Sequence, residues 1–406
     1  NGKHRLASHL RRQRKRSGQP LVVNRRVAQR VIIQINELIL WMEIDFSILD
    51  RLINDDVAFA IYRLPTSQDI HLVIQNDNSV DSVGNYAALT DKIGFVISPF
   101  CITDNCPIVV IRPDKLLLGS DEIKCFSTNY RIKSRDRKAT NLEYDSTSKE
   151  DYSKMFDAFQ SKLKAGRVQK LVLSRKRNIE LQEGFSFSEV FAKALAAYPN
   201  TFVYLAHTSL TGTWLGSTPE LFLSEQGGTF HTVALAGTQS VKPGTDVSTL
   251  SWNEKNVYEQ QIVADYLSKQ LTDSLLPFSN SNTYTFPVGN LAHLKTDFHF
   301  QKSEGMTTGE ILALIHPTPA VCGFPKEEAF AFINQQETHS RSYYSGFVGN
   351  LAMNNRTDLY VNLRCMKVTD RFLSLYAGGG ILPSSDKEEE WNETEDKMRA
   401  MLNILQ

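Results

Sequence analysis

Short apolar runs rich in β-branched and aromatic residues recur along this chain, bounded by Pro, Asn, Asp and Gly. "AFAIYRLP" (58–65), "DIHLVIQN" (69–76), "GFVISPF" (94–100) and "PIVVIRP" (107–113) open the series. After residue 150 come "VQKLVLSRKRNIEL" (168–181), "TFVYLAHT" (201–208), "GTWLGSTPELFLSEQ" (212–226) and "TFHTVALAGTQ" (229–239). "SGFVGNLAM" (345–353), "DLYVNLRCMKV" (358–368) and "FLSLYAGGGIL" (372–382) read as three more strands in a meander. Helix-like stretches separate some of these runs: 148–166, 187–199, 253–275 and the closing 388–405. Ser148 can cap the first of them and Gly166 can end it. No βαβ alternation links the strands, so parallel sheets are excluded. The pattern predicts an α+β fold, an α/β sandwich of two large stacked antiparallel sheets flanked by helices. No internal repeat or low-complexity linker divides 42–406. It is read as one domain, with a variable strand-rich half (42–150) and a catalytic core (151–406).

The first 41 residues stand apart. They hold ten of the 45 Lys/Arg and one of the 45 Asp/Glu, leaving 35 basic against 44 acidic side chains in the body. A body of that balance is not expected to hold nucleic acid by counterion release. "RRQRKR" (11–16) fits a targeting segment, a nucleic-acid-binding arm, or sequence carried in from upstream of a new register at Met42. The third reading is preferred, and 1–41 is taken as a basic, non-native or disordered extension. The longest apolar stretch, 31–42, is interrupted by Gln34, Asn36 and Glu37, so no membrane span is expected. Five scattered cysteines without a CxxC pair suit neither a zinc site nor a disulfide framework, and they point to the cytoplasm.

Several constellations can carry chemistry. Asn256 and Glu259 are three apart on one predicted helix, and Glu390 and Glu393 are three apart on another. Residues at that spacing share a helix face, and carboxylates without Cys or His suit a hard cation, Mg²⁺ above all. A solvated acidic face gives the same spacing. Lys170 sits between apolar strand residues, where desolvation would lower its pKa toward that of a base, unless its stem merely snorkels along the surface. Glu220 follows the stiff Pro219 and precedes an apolar strand. Burial there would raise its pKa and make it a proton donor, whereas a strand edge would leave it ordinary. Gly378-Gly379-Gly380 let backbone approach a ligand, and Arg364 on the adjacent run offers a fork for a carboxylate. The glycines match no dinucleotide fingerprint, and no GxxxxGK[ST] is present. "HPTPAVCGFP" (316–325) is a rigid loop between two helices, either a plain connection or part of a site.

Ten segments in one order carry a resemblance. They are "KLVLSR" (170–175), "GSTPELFL" (216–223), "ALAGT" (234–238), "EQQIV" (259–263), "HLKTDF" (293–298), "HPTPAVCGFP" (316–325), "ETHSRSYYSGFVG" (337–349), "LRCMKV" (363–368), "AGGGI" (377–381) and "EWNETEDK" (390–397). Together they resemble the chorismate-utilising enzymes, most closely the isochorismate synthases of menaquinone or siderophore pathways. The resemblance covers about 150–406. It implies a Mg²⁺-dependent isomerisation in which water attacks C2 of chorismate while the C4 hydroxyl leaves. Lys170 then matches the general base and Glu220 the general acid. Glu259 and Glu393 match metal ligands, with Glu390 and Asn256 behind them; Asn256 falls where the family often has an acid. Arg364, Gly378 and Lys397 match groups around the substrate carboxylates. Ala236, Gly237, Thr238, His316 and Tyr344 lie in pocket-forming motifs, and the loop at 316–325 matches a pocket wall. Ala236 stands where aminodeoxychorismate synthases carry a nucleophilic lysine, so no covalent intermediate is expected. Salicylate synthases share the Lys/Glu pair and are the alternative. A monomer is expected, as in many relatives.

Overall fold

The computed structural model describes residues 41, 44–77, 79–131, 145–241, 245–288 and 291–406. The basic extension expected over 1–41 therefore lies outside the described residues, apart from Trp41. That side chain is buried, with the Arg63 guanidinium 5.8 Å from its ring. Among the described residues no helix is long and apolar enough to cross a membrane.

Two antiparallel sheets organise the chain. In spatial order the nine-stranded sheet runs Gly323–Phe324, Lys170–Glu180, Phe372–Ile381, Cys365–Val368, Gly212–Thr218, Phe202–Thr208, Phe59–Arg63, Ile70–Ile74 and Lys115–Leu118. The ten-stranded sheet runs Phe278–Asn280, Leu291–Gln301, Thr229–Ser240, Leu221–Gln226, Arg356–Val361, Phe347–Leu351, Gly94–Ser98, Ile108–Ile111 and Asp81–Val83, with Tyr284–Val288 also paired to Leu291–Gln301. Both sheets run through the two halves of the body. Phe59–Arg63 pairs with Phe202–Thr208, and Gly94–Ser98 pairs with Phe347–Leu351.

Side-chain alternation builds the layers. Phe59 and Ile61 face the helices Ile48–Asn54, Phe187–Ala197 and Lys387–Leu405, while Ala60 and Tyr62 between them face the other sheet. Likewise Val96 packs toward the helices Glu254–Asp273 and Thr308–Ile315, and Phe95 and Ile97 point inward. Strands covered on both faces read as continuous apolar runs, which is why 94–98 and 108–111 show little alternation. The layer between the sheets is aromatic. Phe202 stacks on Tyr360 at 4.4 Å and Trp214 on Tyr376 at 5.7 Å. Such pairs add about 0.5–1.5 kcal/mol each beyond area burial.

The helix expected over 148–166 spans Lys149–Lys164. The Ser148 hydroxyl accepts from Asp151 N at 3.0 Å, and Gly166 takes a left-handed φ of 82° just past its end. Two expectations need correction. The runs 212–226 and 358–368 are not single strands, and the last three runs are not a simple meander. Gly212–Thr218 belongs to one sheet and Leu221–Gln226 to the other; Arg356–Val361 and Cys365–Val368 are divided in the same way. Pro219 supplies no amide donor, and Arg364 adopts φ +47°, so neither run can continue flat. The two broken runs stay paired through the bend. Cys365 faces Gly216 on one side and Tyr360 faces Leu221 on the other, with Val361 N donating to Glu220 O at 2.9 Å. A two-stranded ribbon thus leaves one sheet and enters the other, the usual way a sandwich makes a corner.

Gly346 lies where this corner meets the N-terminal half. A Cβ there would sit 1.9 Å from Ser98 O. Gly346→Ala is expected to destabilise the protein by on the order of 2–3 kcal/mol, measured by denaturant unfolding; a loss under about 0.5 kcal/mol would show that the approach is not obligatory.

Candidate active site

The ribbon corner projects two residues into one pocket. Its lining includes Glu220, Arg364, Thr238, Tyr344, Gly378 and Lys397. Glu220 is buried, and burial pushes its carboxyl up to about 8 against the opposing charges of Lys170, Lys397 and Arg364. At neutral pH it carries a proton. Arg364 is held at its left-handed φ with its carbonyl accepting from Ser217 N at 3.0 Å, and its guanidinium has no hydrogen bond or ion pair among the described residues, so its fork stays available to an anion. Asn362 anchors the bend: its Nδ2 donates to Tyr343 O at 2.9 Å, and its Oδ1 accepts from Tyr204 OH at 2.6 Å.

The glycine run lies on Phe372–Ile381, with Gly380 opposite Val172 and Gly378 opposite Ser174 on the strand that carries Lys170. A Cβ at Gly379 would meet Glu390 Oε2 at 2.9 Å and Glu393 Oε1 at 3.7 Å. One at Gly380 would meet Glu259 Oε1 at 2.2 Å and Lys170 Cε at 2.9 Å. Bare backbone at two adjacent positions therefore admits three carboxylates from two helices, together with the lysine. Asn253 caps one of these helices through Asn256 N, and Asp386 caps the other through Glu388 N and Glu389 N. Gln260 locks the first helix in register, donating to Ala234 O at 3.0 Å and accepting from Ala236 N at 2.8 Å.

Each of the three carboxylates has a lysine. Lys170 Nζ is 3.0 Å from Glu259 Oε1, and Lys397 Nζ is 2.6 Å from Glu393 Oε1 and 2.9 Å from Gly378 O. Lys255 holds Glu390, which also accepts from Ser385 Oγ at 2.7 Å. Burial acts to raise Glu259, but the charge and hydrogen bond of Lys170 hold it below the usual carboxylate range. Glu390 is pushed up to about 7, by burial first and by the charge of Glu393 next. Lys170 itself is fully buried. The donor set fits a hard cation, since all three groups are carboxylates gathered over backbone that a Cβ would fill. In the present placement, no three His, Cys, Asp or Glu among the described residues are grouped to enclose one. Their lysines supply the positive charge.

The remaining expected residues fall into two sets. Ala236, Gly237, Thr238 and Tyr344 line the pocket. Gly237 forms a bulge, at φ 70°, between Ala236 and Thr238. Asn256 turns away from the acids to donate from Nδ2 to Thr238 O at 3.3 Å. His316 is not part of the lining. It sits behind, hydrogen-bonded to Tyr86 OH at 2.8 Å and ringed by Phe222 and Phe347, while Ala320 and Val321 of its loop form the wall. The same loop also supplies a strand, Gly323–Phe324, beside Lys170.

Among the lining residues given no role from sequence is His293. His293 lies opposite Thr238, its Nδ1 3.2 Å from both Thr238 Oγ1 and Gly237 O, and its buried Nε2 has no hydrogen-bond partner. Burial, with the charges of Arg364 and Lys397, pushes it down to about 3, so it is neutral. The segment HLKTDF begins with it, but only the strand register brings it to the pocket.

Comparison with known proteins points to one family and one fold. Residues 114–406 match the family model described as chorismate binding enzyme, a match that begins upstream of the motifs noted above. Isochorismate synthase EntC of Escherichia coli K12 is 29% identical over 247 residues, 59% of this chain and 63% of that protein. Isochorismate synthase DhbC of Bacillus subtilis is 29% identical over 273 residues, 63% of this chain and 68% of its own length. In structure, the menaquinone-specific isochorismate synthase MenF of Escherichia coli superposes with a TM-score of 0.73 at 19% identity, covering 89% of this chain and 92% of that one. A 2,3-dihydroxybenzoate-specific isochorismate synthase of Bacillus anthracis gives 0.69 at 21% identity, covering 86% and 96%. With its two large antiparallel sheets and a pocket at their shared corner, the chain belongs to the chorismate binding enzyme family.

Proposed function

We propose that this protein is an isochorismate synthase, which isomerises chorismate to isochorismate with Mg²⁺ and feeds menaquinone or siderophore synthesis. The observation that carries the reading is a protonated Glu220 and an unpaired Arg364 guanidinium on one pocket, with Lys170 held against the lining Glu259 and its charge felt by Glu220. Relatives named isochorismate synthases support the choice of reaction. Chorismate is a dianion. Arg364 offers one fork, Lys397 a second positive charge, and the strand at Gly378 exposes backbone to the ligand.

In this reading Lys170, released from its ion pair with Glu259 as the free amine, takes a proton from the water that attacks C2. Glu220 gives a proton to the C4 hydroxyl, which leaves as water. One water is consumed and one released, so the step balances as an isomerisation. Each proton transfer is worth roughly 10²–10⁴-fold. Glu259 and Glu393 would hold Mg²⁺, with Glu390 behind them and Asn256 bracing the helix that carries Glu259. When bound, the ion would neutralise and orient the ring carboxylate. Val321, Tyr344 and Ala377 line the pocket and would cover part of the ring.

The direct test is incubation of the protein with chorismate and Mg²⁺, followed by chromatography. Isochorismate is the expected product; salicylate with pyruvate would reassign the enzyme to the salicylate synthases. Lys170→Ala and Glu220→Gln are each expected to lower kcat by roughly 10²–10⁴-fold while chorismate still binds, and full turnover by either variant would remove that residue from the mechanism. Glu259→Ala or Glu393→Ala is expected to raise the Mg²⁺ needed for half-maximal activity by at least tenfold, about 1.4 kcal/mol. An unchanged titration curve would put the metal elsewhere.

Glu220 also predicts a pH signature. In the fold it keeps its proton up to about 8, whereas in the unfolded chain it ionises in the ordinary carboxylate range. The unfolded state therefore loses that proton first, and the group costs the fold increasing stability as pH rises from the ordinary range to about 8, then a constant amount. Glu220→Gln removes this cost. Its stability relative to wild type should climb between about pH 5 and pH 8 in thermal unfolding, and a flat difference would contradict the shift.

A further inference from the structure

The strand carrying Lys170 lies one place from the edge of its sheet. Only Gly323–Phe324 flanks it there, pairing with Leu171 and Lys170, and Val172 N donates to Cys322 O at 2.7 Å. Past that point, among the described residues, no backbone pairs with the outer edge until Thr147 N donates to Lys176 O at 2.8 Å. The next two edge groups, Val172 O and Ser174 N, point the same way and would be left bare in a buried place. Two side chains take them instead. Arg341 Nη2 donates to Val172 O at 2.7 Å, and Glu337 Oε1 accepts from Ser174 N at 2.7 Å.

Glu337 and Arg341 are also joined to each other. Nε reaches Oε2 and Nη2 reaches Oε1, both at 2.7 Å. Arg341 Nη1 then donates to Val321 O at 2.8 Å, and its guanidinium lies 4.2 Å from the Phe100 ring centroid. Both side chains are only 3% exposed. Val172 and Val321, whose carbonyls the arginine holds, both line the pocket. The ion pair thus occupies the place of a missing strand and ties the Lys170 strand to the 316–325 wall.

We propose that Glu337 and Arg341 are positioning residues for the reaction: their ion pair substitutes for an edge strand and aims Lys170 at the pocket. The inference rests on the reading of Lys170 as the base. Stability alone is a weak reason to bury such a pair, because desolvation consumes most of its Coulombic gain. Placement gives a stronger one, since an error of about 1 Å in a reacting group can cost ~10²-fold in rate. Lysine in place of Arg341 keeps the charge but cannot span two carbonyls and a carboxylate in one plane. A cavity of about 240 Å³ lined by Glu337, His339, Arg341 and Ile333 opens behind the pair and gives a small cation a way in.

The test uses Arg341→Lys, Glu337→Gln and Arg341→Ala in the full-length protein, with two readouts. The first is kcat and KM for chorismate with Mg²⁺. The second is amide hydrogen exchange over 170–175 and 316–325. For Arg341→Lys and Glu337→Gln the expected result is a kcat lowered roughly 10- to 100-fold, with KM within about threefold and exchange accelerated in those two segments alone. Guanidinium added to Arg341→Ala should restore both kcat and protection; if that variant does not fold, Arg341→Lys decides. Unchanged kcat in folded Arg341→Lys would overturn the proposal. So would a loss confined to KM, or a loss of kcat with unaltered exchange at 170–175. If wild type forms no isochorismate, the proposed activity fails by itself. The exchange pattern and its guanidinium rescue still decide whether the pair holds the strand.

Discussion

A hydrogen-bonded ribbon that changes sheets is the constraint on which this molecule depends. The runs 212–226 and 356–368 pair with each other on both sides of their bends, so neither can turn without its partner. The bends fall at Pro219-Glu220 and Asn362–Arg364. Pairing fixes the two turns at the same height, and the residues at the turns are the ones that no longer belong to a sheet face. Glu220 and Arg364 therefore enter the gap at the corner. Asn362, Tyr204 and Tyr343 close the polar groups the bend would otherwise strand.

The second determinant is how charge is distributed around the glycine strand. Glu259, Glu390 and Glu393 each lie against a lysine, while among the described residues Glu220 has none within ion-pair distance. Burial is severe for Glu220 and Glu259 alike, yet they end on opposite sides of the ordinary carboxylate range. The difference is contact: Lys170 touches Glu259 directly and reaches Glu220 only through space. A pocket built this way holds one neutral acid, Glu220, and one ionised acid, Glu259, as acid–base chemistry in a single site requires.

Much of this was legible in the sequence, and the failures follow a pattern. The helix at 149–164 was readable from Ser148 and Gly166 because a cap is a local arrangement of a few residues. The triple glycine was readable as a place of close approach, although what approaches it is protein carboxylate as well as ligand space. The run 212–226 read as one strand because apolar content does not change across Pro219; only the destination of the chain does. His293 and Gln260 lie in segments that carry the family resemblance but were given no role, because what each touches follows from strand pairing and helix docking. His316, prominent in its proline-rich loop, proved to support the wall from behind.

The amino-acid order by itself determined the antiparallel α+β class, the helix ends and the residue types available for chemistry, because each depends on neighbours within a few positions. The tertiary structure alone decided which lysine meets which carboxylate, which carboxyl keeps its proton, and where a strand crosses between sheets. Those outcomes depend on distances between segments far apart in the chain and on the water that their packing removes. Coulombic attraction, burial and sheet register have no values until those segments meet.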